Sequence, residues 1–156
     1  MIRLVLAAGL LAGCRISLEN QDLNRTCTVG TSPQCMEAAN HSDLPWIEQN
    51  IFAASCNFSG CHDTATDQGR LDLRPGVSHN SMVGVSSLLD PTRQLVVPND
   101  VAASYLMLML DFFPPSMASP PGTLPSVGTM PQGSPILCCQ KLDAVERWIN
   151  GGAQTN

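Results

Sequence analysis

The chain has 156 residues, of which 44% are hydrophobic, 13% are charged and 4% are aromatic. Its net charge of −5 at pH 7 comes without any run of Lys or Arg, which argues against a nucleic-acid surface or a polybasic membrane patch. With so few aromatic residues we expect one domain with a small core, to which a large bound group would add apolar volume.

The N-terminus has the layout of a lipoprotein export signal. Arg3 precedes a short apolar run, which ends in Leu11-Ala12-Gly13-Cys14. The run is too short to span a bilayer, and its last four residues resemble the lipobox of bacterial lipoproteins. We predict a signal peptide over residues 1–13 and a lipidated Cys14, which would anchor the protein at the cell envelope, on the periplasmic side or the outer membrane. The alternative is an ordinary signal peptide that contains a cysteine.

The seven cysteines divide into groups if the protein is exported. Cys14 is assigned to lipid, and Cys56 and Cys61 belong to a motif with a following histidine. In an oxidising compartment the other four would form two disulfides; they are Cys27, Cys35, Cys138 and Cys139. Three pairings are possible. A bond between the two adjacent cysteines would strain a ring of neighbouring residues, so we favour bonds from both to the N-terminal pair, which would hold that segment on the last helix.

The segment after the lipidation site is polar and has little apolar periodicity, which predicts a tether over residues 14–42. The domain follows over 43–156. Its first helix is predicted from a cap at Ser42 or Asp43 up to Ala54, because apolar residues recur there at helical spacing; they are Trp46, Ile47, Ile51 and Phe52.

The middle of the chain is irregular, with one or two helical turns possible between Ser81 and Leu89. Asn99 is the expected cap of a second helix, which ends by Asp111. A proline-rich loop then runs from Phe113 to Pro135, and loops of this length are commonly functional or disordered. It carries two methionines that could be functional, Met117 and Met130.

The last helix is predicted from about Leu137 to Asn150, with an apolar stripe on one side and Gly151-Gly152 as its stop. No convincing strand ladder and no internal repeat is visible. The fold class we predict is all-α, with three to five short helices and long irregular loops.

The central motif is Cys56-Asn57-Phe58-Ser59-Gly60-Cys61-His62, which directly follows the first predicted helix. It is a widened form of the c-type haem attachment motif, with four residues between the cysteines where the usual form has two. Two thioether bonds from Cys56 and Cys61 would pin one edge of a covalent haem c, and His62 would be carried under the iron. A distal methionine would raise the reduction potential.

Further motifs follow in a specific order. They are Cys61-His62, Leu71-Asp72-Leu73, Pro98-Asn99-Asp100-Val101-Ala102-Ala103-Ser104-Tyr105-Leu106, Met130-Pro131 and Trp148-Ile149-Asn150-Gly151-Gly152-Ala153. From about Asp43 to Ala153 the chain therefore resembles the small planctomycete-type cytochrome c domains, which also occur in lipoproteins. The departures are Asn99, where the family has Gly, and the widened spacer. The resemblance implies a cytochrome c-like fold, Trp148 packed across the first helix, and Met130 as distal ligand, with Met117 as runner-up.

The predicted function is one-electron transfer by a membrane-anchored monohaem cytochrome, with redox proteins and not nucleic acid as partners. Filled axial positions favour a carrier over a catalyst. If Met130 did not bind, the open position would suit peroxide or a gas ligand. The main alternative, ahead of such a haem enzyme, is a haem-free cytochrome-like structural or interaction lipoprotein with Cys56 and Cys61 in a disulfide. A zinc site with His41 or His79 is the least favoured, because adjacent Cys61 and His62 suit tetrahedral zinc poorly.

Overall fold

The computed structural model describes residues 25–64, 68–124 and 126–156, so the predicted signal peptide and Cys14 lie outside the described residues. The domain is mostly helical, with five short helices and much irregular structure. Helix α1 is Pro33–Ala38; α2 runs from Leu44–Ile47 through a π-helical segment, Glu48–Phe52, into Ala53–Ser55; α3 is Ser78–Met82, α4 is Tyr105–Met109 and α5 is Cys139–Asn150. Pairing between extended segments in the described part of the chain is limited to isolated bridges.

Helix α2 forms where the sequence predicted the first helix. Its N-cap is Asp43, whose carboxylate accepts a hydrogen bond from the Trp46 N–H over 3.0 Å. The π-helical segment changes the register, since Cys56 and Asn57 both donate their N–H groups to the Phe52 carbonyl at 2.8 Å. Such segments are rare and are frequent at functional sites. Cys56 therefore lies at the C-terminal end of α2, a helix that is part of the core.

Glu48, inside the π-helical segment, is 6% exposed, although charged residues are seldom buried without partners. Its carboxylate accepts hydrogen bonds from the Gly76 N–H at 2.9 Å and the Ser78 hydroxyl at 2.7 Å. These bonds connect α2 to the start of α3 and satisfy the buried charge.

Helix α5 closes the core against α1 and the beginning of α2. Trp148 is 2% exposed, and its indole N–H donates to the Gln154 carbonyl over 2.7 Å. The guanidinium of Arg147 donates to the carbonyls of Ala38 and His41 at 2.8 and 2.7 Å. A single arginine therefore satisfies carbonyl groups at and after the end of α1.

Two disulfides connect the N-terminal segment to the beginning of α5. Cys27 is bonded to Cys139, and Cys35 is bonded to Cys138. Both adjacent cysteines therefore cross to the N-terminal pair, as favoured from the sequence. Each bond joins residues more than 100 positions apart, so it restricts the unfolded chain strongly.

The described part of the predicted tether, from Arg25 onward, packs on the domain. Arg25 forms an ion pair with Asp143 of α5, and its guanidinium lies 4.3 Å from the centre of the Phe112 ring. Helix α1, which we did not predict, begins after Ser32, whose hydroxyl accepts from the Cys35 N–H. Because α1 is short and mostly exposed, its position depends on its cap and the disulfide more than on apolar periodicity.

The second predicted helix begins later than expected, and Asn99 is not its cap. Asn99 has φ of 63°, a left-handed conformation that Asn tolerates better than most residues, and it donates its N–H to the Ile149 carbonyl. Helix α4 begins only after Ser104. All five of its residues are buried, which explains why no polar face marked its start.

The region predicted as helical turns between Ser81 and Leu89 also differs. Helix α3 ends at Met82, and the chain then pairs locally with the segment before α4, through Val83 with Val96 and Ser86 with Gln94. Within the described residues, no helix has the length and hydropathy that a membrane span needs.

Candidate cofactor cleft

An apolar cleft with a cavity volume of about 150 Å³, partly open to solvent, lies between the end of α2, helix α4 and three loops. Most of its lining is apolar; the lining residues from α2, α4 and the loops before α3 and α4 include Ile51, Phe52, Leu71, Leu73, Leu88, Leu89, Leu95, Tyr105, Leu106, Met109 and Leu110. A smaller recess of about 80 Å³ adjoins it and shares five lining residues with it.

The three residues of the attachment motif lie together at this cleft. Cys56 and His62 line both the cleft and the recess, and Cys61 lines the recess. Cys56 is half-buried, Cys61 is exposed, and both are free thiols. Two free thiols and an imidazole therefore lie on one wall, all within the short segment 56–62.

Backbone hydrogen bonds fix the conformation of this turn. The Cys61 N–H donates to the Phe58 carbonyl at 2.8 Å, and the Cys61 carbonyl accepts from Gln68 at 2.9 Å. The His62 carbonyl accepts from the Leu73 N–H at 2.8 Å, and the Nδ1 atom of its ring is buried. The Leu-x-Leu segment therefore lines the cleft and also holds the backbone of His62.

Met130, from the proline-rich loop, lines the same cleft as Cys56 and His62 although it lies 68 residues after His62 in the chain. It is half-buried and packs on the core. Met117, the runner-up distal ligand, is 54% exposed and lines neither the cleft nor the recess.

The cleft provides a low-charge environment. Within the described residues, its lining contains no Asp, Glu, Lys or Arg. Burial raises the pKa of the Cys56 thiol to about 12, although the positive charge of Lys141 acts in the opposite direction. Cys56 is consequently a neutral thiol at pH 7. Burial also raises the pKa of Tyr105 on the cleft wall.

The other two histidines line neither the cleft nor the recess. His41 stacks on Trp46 with 4.5 Å between ring centres and donates to the Asp43 carboxylate at 2.9 Å. His79 donates its Nε2–H to the Ala153 carbonyl at 2.9 Å. Over the described ranges, no three His, Cys, Asp or Glu residues are grouped so that they could hold a metal ion.

Sequence reasoning missed two parts of the site. Leu88 and Leu89 form part of the cleft wall from an irregular loop, where only an adjacent pair of apolar residues signalled them. Lys141, a charged residue of the last helix, is half-buried and acts on Cys56. No pattern in the sequence indicates that Lys141 approaches a residue so distant in the chain.

The donor set fits a covalently bound haem. Two thiols can form the thioether bonds, and an imidazole and a thioether are common axial ligands of haem iron. All four groups line the apolar cleft or its adjoining recess. No protein-family model matches the chain, and neither a curated protein nor a solved structure is significantly similar to it.

Proposed function

We propose that this protein is an exported, lipid-anchored c-type cytochrome with one haem c per chain, and that it carries single electrons between redox proteins. The fold would be a small cytochrome c-like variant. The observation that carries the proposal is that Cys56 and His62 of the motif line one apolar cleft together with Met130, which lies 68 residues further along the chain.

The proposed roles follow from chemistry and position. Cys56 and Cys61 hold the haem through thioether bonds, His62 is the proximal ligand and Met130 is the distal ligand. When bound, the haem supplies a one-electron couple between ferric and ferrous iron, whose potential rises with a Met ligand and with burial. The apolar side chains of the cleft exclude water from this group.

A carrier suits the cleft better than a haem enzyme. Peroxide chemistry needs an acid–base group near the distal position. In the described part of the chain, the titratable groups lining the cleft or recess are those of the attachment motif and Tyr105, and His79 lines neither. With Met130 coordinated, no position on the iron stays open for a substrate.

The haem-free alternative requires Cys56 and Cys61 to form a disulfide. Four other cysteines of the described chain are paired, whereas these two are free thiols. The two disulfides also support export, because such bonds persist in oxidising compartments. The lipid anchor itself is proposed from the sequence of residues 11–14 alone.

The test is expression of the whole chain with a periplasmic cytochrome maturation system, followed by haem staining of a denaturing gel. Covalent haem in wild type, and none in the Cys56→Ser/Cys61→Ser variant, is the expected result. A conventional cytochrome c expressed in parallel controls for the machinery. A stained control beside an unstained wild-type band would refute the proposal.

A further inference from the structure

Lys141 is the only lysine in the sequence, and the fold brings it to the segment that leads into the attachment motif. Its ammonium donates a hydrogen bond to the backbone carbonyl of Asn50 over 2.7 Å. Asn50 lies in the π-helical segment of α2, six residues before Cys56. The first turn of α5 is thereby connected to the helix that carries the first attachment cysteine.

Within the described residues, no ion pair joins Lys141 to a carboxylate. Partial burial lowers the pKa of Lys141. An unpaired, half-buried cation is screened less than a surface charge.

The field of this cation acts on Cys56. Lys141 is the charged residue that favours the thiolate of Cys56, and Cys56 in turn favours the protonated form of Lys141. Since Cys56 lines both the cleft and the recess, a charge that acts on its thiol also acts on a group held there. The lining itself contributes no Asp, Glu, Lys or Arg within the described residues, so little opposes this field.

We infer that Lys141 is a positioning residue of the proposed haem site, which holds the α2 segment before Cys56 and raises the reduction potential through its ammonium charge. This inference rests on the proposed function. A nearby positive charge favours the state with one more electron, so the charge stabilises the ferrous form. The hydrogen bond from Lys141 to the Asn50 carbonyl does not depend on haem.

The first measurement is the midpoint potential of the matured holoprotein, in wild type, Lys141→Gln and Lys141→Arg. In Lys141→Gln the ratio of reduced to oxidised protein at a fixed potential should fall by about three- to tenfold, because one positive charge is lost. Lys141→Arg keeps the charge and should retain the wild-type potential. Arg70→Gln removes the same charge from an exposed position and should cause a smaller change.

Acetylation gives a second route if Lys141→Gln fails to mature. Because the chain has a single lysine, amine acetylation of assembled wild type removes this side-chain charge after folding, and mass spectrometry verifies the modification. The same treatment of Lys141→Arg corrects for reaction at the N-terminal amine. The potential should fall only in acetylated wild type.

The third measurement uses the Cys56→Ser/Cys61→Ser chain, which cannot hold haem covalently. Adding Lys141→Gln should lower its urea midpoint through loss of the ammonium donor to Asn50, and Lys141→Arg should restore most of that loss. An unchanged potential after charge removal overturns the inference, even with haem present. Absence of covalent haem from wild type overturns both the inference and the proposed function.

Discussion

Met130 donates its backbone N–H to the carbonyl of Met109 over 2.7 Å, which fixes one residue of the proline-rich loop to the last residue of α4. Both methionines line the cleft. The long proline-rich loop, which includes a short 3₁₀ helix at Pro115–Met117, is thereby held at the site by Met130. This bond explains how a proline-rich loop can hold the thioether of Met130 at a fixed place in the cleft.

The first prediction concerns the distal ligand. The matured wild-type protein should show a sulfur-to-iron charge-transfer band, because Met130 lines the same cleft as His62. The band should disappear in Met130→Ala and persist in Met117→Ala, since Met117 is 54% exposed and lies outside the cleft. Visible spectra of the ferric proteins measure this. Loss of the band in Met117→Ala alone would assign the ligand to the other methionine.

The parts of the fold that could be predicted are those with strong local signals. Helix α2 combines an Asp43 cap with apolar periodicity, and α5 combines a periodic stripe with a glycine stop. The two disulfides followed from export and from the strain of a bond between neighbours. For the helices, the residues that fix the structure lie close together in the sequence. For the disulfides, cysteine is a residue type that can pair only with another cysteine.

The parts that could not be predicted depend on distant contacts. Burial of Glu48 is stabilised by donors 28 and 30 residues away, and α1 is held by Cys35 and by α5. The late start of α4 follows from the left-handed backbone at Asn99, which composition does not encode. For the site, the sequence motif predicted Cys56, Cys61 and His62. The part of the cleft wall formed by Leu88 could be identified only from the tertiary structure.

The second prediction concerns the left-handed residue before α4. Asn99→Ala should lower the free energy of unfolding by about 1 kcal/mol, because Ala lacks the short polar side chain that lets Asn tolerate positive φ. Asn99→Gly is the matched control and should be close to wild type, since Gly adopts this conformation readily. Urea denaturation measures both. Equal stability of the two variants would contradict the left-handed assignment.

The third prediction concerns the cap of α2 and its dependence on pH. A hydrogen bond from His41 is the main cause that lowers the pKa of Asp43. A lowered folded-state pKa contributes stability above the unfolded value of about 3.9, and this contribution disappears as pH falls through the folded value.

Asp43→Ala should therefore destabilise the protein by about 1 kcal/mol at pH 7. Asp43→Asn keeps a capping side chain and should lose less at pH 7. The stability difference between wild type and Asp43→Asn should shrink below about pH 3.9. Urea denaturation at pH 7, 5 and 3 tests this, and a difference that grows toward low pH would contradict the proposed sign.

The fourth prediction concerns the bonds between the N-terminal segment and α5. The Cys35→Ala/Cys138→Ala variant should lose about 2–5 kcal/mol of unfolding free energy, because its native bond closes a long loop in the unfolded chain. Cys27→Ala/Cys139→Ala should lose a similar amount. Guanidinium denaturation under non-reducing conditions measures both variants. Peptide mapping that joined Cys27 to Cys138 would contradict the observed pairing.

Covalent attachment at the widened motif tests the central claim most directly. The measurement is the intact mass of the purified, denatured protein after expression with the maturation system, followed by mass analysis of the peptide that contains Cys56 and Cys61. The account predicts one haem per chain, attached to this peptide through both sulfurs. A peptide without haem, with Cys56 and Cys61 joined in a disulfide, would contradict it.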